Sequence, residues 1–128
     1  MNLAEKTQFA EGYAQAWCSQ DSERVAAYYA RNGSISVNGA PPLPIAEVAR
    51  GFMRDFPDMI VTFDRLEPLG NRTAFHWTFT GTNTGPGGTG HKVQISGYEL
   101  WQFNQEGLIQ ESKGHFDASE YERQLKGH

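Results

Sequence analysis

Apolar residues along this chain change from a helical period to a strand period near Pro57. Before Pro57 they recur every three or four positions, which predicts one helix over about 3–19 and another over about 44–55. After Pro57 they alternate with polar residues, which predicts strands joined by hairpin turns. The pattern therefore indicates a helical first half and a strand-rich second half.

A short helix is predicted between the two longer ones. Asp21 or Ser22 can cap it, and it carries Tyr28 and Tyr29. The pair at 32–33, Asn followed by Gly, is expected to end it, and a strand over 34–37 would follow.

The strands after Pro57 have one clearly apolar face each. On one strand Phe75, Trp77 and Phe79 share a face. On the longest strand the shared face carries Val93, Ile95, Gly97, Glu99, Trp101 and Phe103. These elements predict an α+β fold in a single domain spanning residues 1–128, with three N-terminal helices packed on a curved antiparallel β-sheet that encloses a pocket. A carboxylate in such an apolar stripe is costly unless it is protonated or hydrogen-bonded, which makes Glu99 a candidate site residue.

The last predicted strand carries four titratable residues on one face. Glu111, Lys113, His115 and Asp117 are each two positions apart, so their side chains point the same way. That face is either bathed in water or lines a polar site inside the pocket. In a pocket, His115 and Asp117 would share a proton network. Asp117 could instead cap the helix that follows.

Charge and composition exclude several classes of protein. The net charge is −4 and no basic run occurs, so binding to nucleic acid or to an anionic membrane is not expected. Cys18 is the single cysteine, which excludes an internal disulfide and fits a reducing cytoplasm. The N-terminus lacks the apolar core of a signal peptide, and no apolar run is long enough to span a bilayer. The histidines lack the spacing of a zinc site, so no metal is expected.

Three segments carry a family resemblance. The chain resembles SnoaL-like polyketide cyclases in three segments, in their order and in their spacing. These are the stretch from Trp77 to Gly85, the stretch from Thr89 to Val93, and a tail containing Glu111, Asp117 and the pair at 124–125. The resemblance implies a cone of the NTF2-like α+β type, a site without a cofactor, and a homodimer formed through the sheet. It also implies that Asp117 is the acid/base of an intramolecular aldol closure. If the protein is such an enzyme, the spacing of His115 from Asp117 predicts that His115 tunes or relays the proton. The chain departs from the family at Asn83, where a histidine is common, and at Lys113, where an aromatic residue is common.

A second resemblance lies in the same superfamily. Steroid isomerases of this fold carry a tyrosine on the first helix and a buried carboxylic acid on a central strand, and Tyr13 and Glu99 occupy similar positions. The position of the isomerases' catalytic base is taken by Asn38, which cannot accept a proton.

Two functions remain open from the sequence. One is a cofactor-independent acid/base enzyme acting on a hydrophobic, oxygen-bearing small molecule by aldol cyclisation or isomerisation. The other is a binding protein that uses the same pocket without turnover. Besides the predicted catalytic pair Asp117 and His115, the residues predicted to contact the ligand are Tyr13, Trp17, Asn38, Phe52, Phe56, Phe75, Trp77, Glu99, Trp101 and Lys113.

Overall fold

Helices and strands follow the predicted change of period in the computed structural model, which describes residues 1–127. The helices are α1 (Leu3–Cys18), α2 (Ser22–Ala26), α3 (Ile45–Asp55) and α4 (Ala118–Leu125). The strands are β1 (Tyr29–Val37), β2 (Leu43–Pro44), β3 (Ile60–Leu69), β4 (Arg72–Thr82), β5 (Lys92–Phe103) and β6 (Ile109–Phe116). The predicted α+β fold is confirmed.

None of the helices within residues 1–127 has the length and apolar character needed to cross a membrane.

The first helix begins at a capping box. The Asn2 side chain accepts a hydrogen bond from the Glu5 backbone N–H at 2.8 Å, and the Glu5 carboxylate accepts one from the Asn2 N–H at 3.1 Å. The buried side of α1, which includes Tyr13 and Trp17, packs against the inner face of the sheet and contacts β3. The helical spacing of apolar residues predicted for this segment is therefore confirmed, and these residues form its inward side.

The second helix is shorter than predicted. Asp21 caps it by accepting from the Glu23 N–H at 3.0 Å, but the chain is already extended at Tyr29. The predicted helix end at 32–33 is therefore wrong. Tyr29 pairs with Ile109 on β6, and this contact between distant parts of the chain outweighs the local helical pattern.

The six strands form one sheet in the order β2-β1-β6-β5-β4-β3. All neighbours are antiparallel as predicted, except β1 and β6, which run parallel. Bulges at Asp64 on β3 and at Gln110 on β6 bend these strands. The predicted hairpin turns are present and contain Gly70 and Gly107, each with a positive φ that glycine adopts without strain.

The core lies between the inner face of the sheet and the helices. Phe75 and Trp101 stack there with their ring centres 4.8 Å apart, and neither residue is exposed. The predicted alternation on β5 is confirmed, because Val93, Ile95 and Trp101 are all buried on the same side as Glu99. A carboxyl group is thus built into an aromatic core.

Candidate active site

Glu99 is the centre of a buried hydrogen-bond network. Its Oε1 accepts from the Tyr13 hydroxyl at 2.7 Å and from the Ser112 hydroxyl at 2.9 Å. The same oxygen accepts from Trp101 Nε1 at 3.0 Å and from the Tyr29 hydroxyl at 3.4 Å. The two tyrosine hydroxyls lie 2.9 Å apart. Four donors from α1, β1, β5 and β6 therefore converge on one carboxyl oxygen.

Burial sets the protonation behaviour of this network. Removal from water raises the pKa of the Glu99 carboxyl, and the hydrogen bonds from Trp101, Tyr13, Ser112 and Tyr29 lower it by less. Burial, reinforced by the neighbouring Glu99, raises the pKa of Tyr13 and of Tyr29 well above the ordinary tyrosine value. Both hydroxyls therefore keep their protons, and a raised pKa makes Glu99 a stronger base when it is ionised.

The second oxygen of Glu99 faces a different environment. Within residues 1–127 no protein donor contacts Oε2, while Glu99 itself lines a cavity between the sheet and the helices. The cavity-lining residues are Trp17, Ile35, Val37, Val48, Phe52, Met59, Val61, Trp77, Phe79, Ile95, Glu99, Gly114, Phe116 and Tyr121. Oε2 is thus the atom that Glu99 offers to a ligand.

The cavity is small and its walls are almost wholly apolar. Its volume is about 70 Å³ and it is partly open to solvent. Pockets for drug-sized ligands usually measure roughly 300–1,000 Å³. The space therefore suits a small molecule, or one ring of a larger molecule that extends outside. Burial raises the pKa of Tyr121 to about 12, and Glu99 is the one carboxyl group among the described lining residues.

Within residues 1–127, two tryptophans that line this cavity have an indole N–H without a hydrogen-bond partner. Trp17 Nε1 and Trp77 Nε1 are buried without a hydrogen bond, whereas Trp101 Nε1 donates to Glu99. The Trp77 ring lies against Gly97, where an added Cβ would stand 2.7 Å from the indole carbon Cζ2. Glycine at this position therefore gives the indole room to lie across β5.

Comparison with known proteins identifies the family. A family model described as SnoaL-like polyketide cyclase matches residues 7–125. The chain belongs to the SnoaL-like polyketide cyclase family. The resemblance seen in the sequence is therefore confirmed. No curated protein sequence matches the chain.

Solved structures share the fold of this SnoaL-like protein. It is similar to TsrD from Streptomyces laurentii, with a TM-score of 0.82, 17% identity, and coverage of 100% of this chain and 99% of that chain. A protein with a ketosteroid isomerase-like fold from Catenulispora acidiphila, in complex with trimethylamine, gives a TM-score of 0.78 at 13% identity, covering 92% of each chain. A SnoaL-like protein of unknown function from Burkholderia thailandensis gives 0.72 at 16% identity, covering 92% of this chain and 99% of that chain. At such low identities these likenesses show the fold alone.

The structure places the predicted catalytic pair of this SnoaL-like protein outside the cavity. Asp117 is exposed and caps α4, accepting from the Glu120 N–H at 3.1 Å. His115 lies on the outer face of β6, where its ring packs 5.0 Å from that of Tyr98. The inner face of β6 instead presents Ser112, Gly114 and Phe116. An acid/base role for Asp117 and His115 stays a prediction drawn from the family resemblance.

The titratable face of β6 belongs to an outer polar surface. Glu111 receives a hydrogen bond from Arg72 at 3.1 Å, and Lys113 is exposed 3.8 Å from the same carboxylate oxygen. Of the two interpretations of this face, exposure to water is the one that the structure shows. Lys113 therefore does not line the cavity. The homodimer that the family resemblance implies, formed through the sheet, stays a prediction.

The other predicted ligand contacts divide into three groups. Trp17, Phe52, Trp77 and Glu99 line the cavity. Tyr13 and Trp101 act through Glu99, since both donate to its Oε1. Phe56, Phe75 and Asn38 are the remaining three. Phe56 and Phe75 are fully buried core residues outside the cavity lining, and exposed Asn38 accepts a hydrogen bond from the Phe116 N–H at 2.9 Å. Their side chains are used in packing or in holding backbone, and the expectation that these three contact a ligand stays a prediction.

Sequence reasoning missed two members of the network. Tyr29 was assigned to a helix, and Ser112 lies between the charged residues Glu111 and Lys113 that drew attention to the opposite face. The alternation that turns Glu111 and Lys113 outward also turns Ser112 inward, so the signal for Ser112 was present.

The departure from the family at Asn83 has a structural explanation. Its Nδ2 donates to the Asp55 carbonyl at 3.1 Å, and its Oδ1 accepts from the Thr89 N–H at 2.8 Å. The side chain is buried and ties the glycine-rich loop between β4 and β5 to the end of α3.

Within residues 1–127 no group of three His, Cys, Asp or Glu side chains is placed to hold a metal ion.

Asp117→Ala is expected to lower the free energy of unfolding by about 0.5–2 kcal/mol, because it removes the α4 cap. Asp117→Asn should change stability little, since asparagine caps helices equally well. Urea denaturation of both variants tests this. Equal losses in the two variants would show that the charge of Asp117, rather than its capping hydrogen bond, stabilises the helix.

Proposed function

We propose that this protein is a cofactor-independent acid/base enzyme that moves a proton on a small apolar molecule bearing a carbonyl group, with Glu99 as the proton-transferring residue. One observation carries the proposal. Glu99 is the only acidic residue lining an apolar cavity in the described chain; four donors hold one of its oxygens, and the other is left for a ligand. A fixed, partly desolvated carboxylate of this kind is what general acid/base catalysis requires.

Proton transfer would run through Oε2. Ionised Glu99 takes a proton from a carbon next to the carbonyl, and the C–H electron pair moves into the carbonyl group to form an enolate. In an isomerisation, protonated Glu99 returns the proton to another carbon of the same system. In an aldol closure, the enolate carbon attacks a second carbonyl of the molecule, and Glu99 delivers the proton to the resulting alkoxide. Both routes restore the ionised carboxylate.

Geometry supports Glu99 over Asp117 for this role. The Asp117 carboxylate is exposed, caps α4 and is not among the residues that line the cavity. Glu99 is 6% exposed and lines the space that such a substrate would fill. Burial also raises the pKa of Glu99, which is the direction of shift that a base working near neutral pH requires.

A binding protein without turnover is the alternative function. The apolar walls would serve it equally well, and family membership alone does not separate the two. A binding site gains little from a buried carboxyl, because desolvating that group costs stability. The presence of Glu99 in the cavity wall therefore favours catalysis.

Hydrogen–deuterium exchange tests the proposal without knowledge of the natural substrate. In D₂O the enzyme should speed the exchange of the α-protons of cyclohexanone, followed by proton NMR, above the rate in buffer alone. The rate should rise with pH as Glu99 ionises and level off above its raised pKa, because the base is the ionised form. Buffer-level exchange with cyclohexanone, cyclopentanone and acetophenone alike would contradict the proposal.

The raised pKa of Glu99 predicts the pH dependence of stability. The folded state holds the Glu99 proton more tightly than the unfolded state, where the pKa is near the ordinary 4.5. This contribution is therefore complete below that value and is lost as pH rises toward the folded-state pKa, with a slope of at most about 1.4 kcal/mol per pH unit. Glu99→Gln should remove this slope and be as stable as wild type, or more stable, at alkaline pH.

Urea denaturation of wild type and Glu99→Gln at several pH values measures the difference. Other titrating groups contribute equally to both proteins, so the difference curve isolates Glu99. A difference that does not change between pH 4.5 and 9 would show that the folded-state pKa of Glu99 is ordinary.

A further inference from the structure

Two buried hydrogen-bond donors in the cavity are left without partners. Within residues 1–127, Trp17 Nε1 and Trp77 Nε1 are the buried side-chain polar atoms that lack a hydrogen bond, and both residues line the same cavity. Unpaired buried polar atoms are rare, and each costs roughly as much as a lost hydrogen bond. Their occurrence together in one small apolar cavity points to a ligand that pairs with them.

Trp17 lies beside the Glu99 network without joining it. The residue is 7% exposed. Its ring packs edge-to-face against that of Tyr13, with the ring centres 6.4 Å apart. The Tyr13 hydroxyl is already engaged with Glu99 and Tyr29, and within residues 1–127 Trp17 Nε1 makes no hydrogen bond. Its N–H is therefore unpaired next to the network that holds Glu99.

Trp77 is held on β4, the strand next to Glu99. Gly97 on β5 leaves space for its ring, since an added Cβ would stand 2.7 Å from Cζ2 and 2.9 Å from Cη2. The edge of the ring packs on Phe116, with the ring centres 6.1 Å apart. Neighbours on both sides thus fix the indole, and its N–H has a defined direction.

We infer that the two indoles select a ligand that presents acceptor oxygens, of the carbonyl class, to Trp17 Nε1 and Trp77 Nε1. An indole N–H donates and cannot accept, so the complementary ligand atom must be an acceptor. The inference rests on the proposed function in one respect: one of these oxygens belongs to the carbonyl next to the carbon that Glu99 deprotonates. A donor aimed at that oxygen stabilises the negative charge of an enolate more than the neutral carbonyl. Trp17 and Trp77 are thus specificity-determining donors.

Indole NMR of the wild-type protein tests the inference directly. The ¹⁵N-labelled chain has three indole N–H resonances, from Trp17, Trp77 and Trp101. Cyclohexanone, which carries one acceptor oxygen, should move at least one of the first two downfield at saturation, while Trp101, already bonded to Glu99, serves as the internal control. Methylenecyclohexane has nearly the same shape but lacks the oxygen, so it should bind without the downfield shifts.

Variants that keep an aromatic ring measure the contribution of each donor. At least one of Trp17→Phe and Trp77→Phe should raise the ratio of the ketone to the alkene dissociation constant by roughly 2- to 10-fold, the usual worth of one hydrogen bond. The ratio cancels any general loss of cavity shape, which affects both ligands. Thermal melts identify a variant that does not fold, and the wild-type NMR result then decides alone.

The outcomes separate this inference from the proposed function. Identical indole shifts with ketone and alkene, or unchanged ratios in both folded variants, would overturn the inference even if Glu99 catalyses exchange. Ketone-specific shifts together with buffer-level exchange would support the inference and contradict the catalytic proposal. The NMR and the binding measurements both use the whole protein and commercially available ligands.

Discussion

Glu99→Gln is expected to lower the rate of α-proton exchange by roughly 10²–10⁴-fold while the protein stays folded. The amide oxygen can still accept from Tyr13, Ser112 and the other donors, so the network keeps its shape. The amide cannot take up or release a proton at the position of Oε2. Loss of activity without loss of stability would therefore report proton transfer rather than packing.

Two carboxyl-to-amide variants complete this experiment. Glu106→Gln makes the same chemical change in the exposed β5–β6 turn, and it should exchange at the wild-type rate. Asp117→Asn tests the role that the family resemblance implies, and the position of Asp117 outside the cavity predicts wild-type exchange. Exchange assays at saturating ketone, together with melting curves, compare all four proteins. Loss of activity in Asp117→Asn with full activity in Glu99→Gln would return the catalytic role to Asp117.

Phe75→Ala is expected to lower the free energy of unfolding by about 3–5 kcal/mol. The Phe75 ring is fully buried and lies between two parallel rings, Trp101 at 4.8 Å and Phe63 at 5.8 Å. Tyr13 meets its edge at 5.3 Å. Removing the ring leaves a void beside Tyr13 and Trp101, two of the residues that donate hydrogen bonds to Glu99. Such a loss is a large part of the roughly 5–15 kcal/mol that stabilises a typical domain.

Equilibrium urea denaturation measures this effect, and Phe75→Leu provides a milder variant if the alanine form does not fold. Leu69→Ala is the matched control, because Leu69 is 47% exposed and its truncation should change stability by less than about 0.5 kcal/mol. A loss below about 1 kcal/mol in Phe75→Ala would mean that the ring is not closely packed. The expectation that Phe75 contacts the ligand would then gain support, because a loosely packed ring is free to do so.

Alternation within strands was enough to predict much of this molecule. The apolar stripe on β5 correctly placed Glu99 on the inner face with Ile95 and Trp101. The position of Tyr13 on the inward side of α1 followed from helical spacing in the same way. Both predictions depend on local periodicity, which the sequence records directly.

The site residues that were not predicted depend on which face of each strand the fold turns inward. Period-two spacing divides β6 into two faces but does not say which one meets the core. The face with Lys113 and His115 was favoured because it holds titratable groups, yet closure of the sheet turns Ser112 and Gly114 inward. Tyr29 was missed because its place is set by parallel pairing with β6, about 80 residues further along the chain.

The convergence of donors on a single oxygen also ties the carboxyl to the folding reaction. Tyr13 and Tyr29 lie 86 and 70 positions from Glu99 in the sequence, while Ser112 is 13 positions away and Trp101 only two. Contacts across such long separations form only after the loops between them have closed, which is entropically expensive and slow. A nascent or partly unfolded chain therefore contains Glu99 as an ordinary solvated carboxylate. Its raised pKa is a property that the polypeptide acquires only when these distant segments of the chain have met.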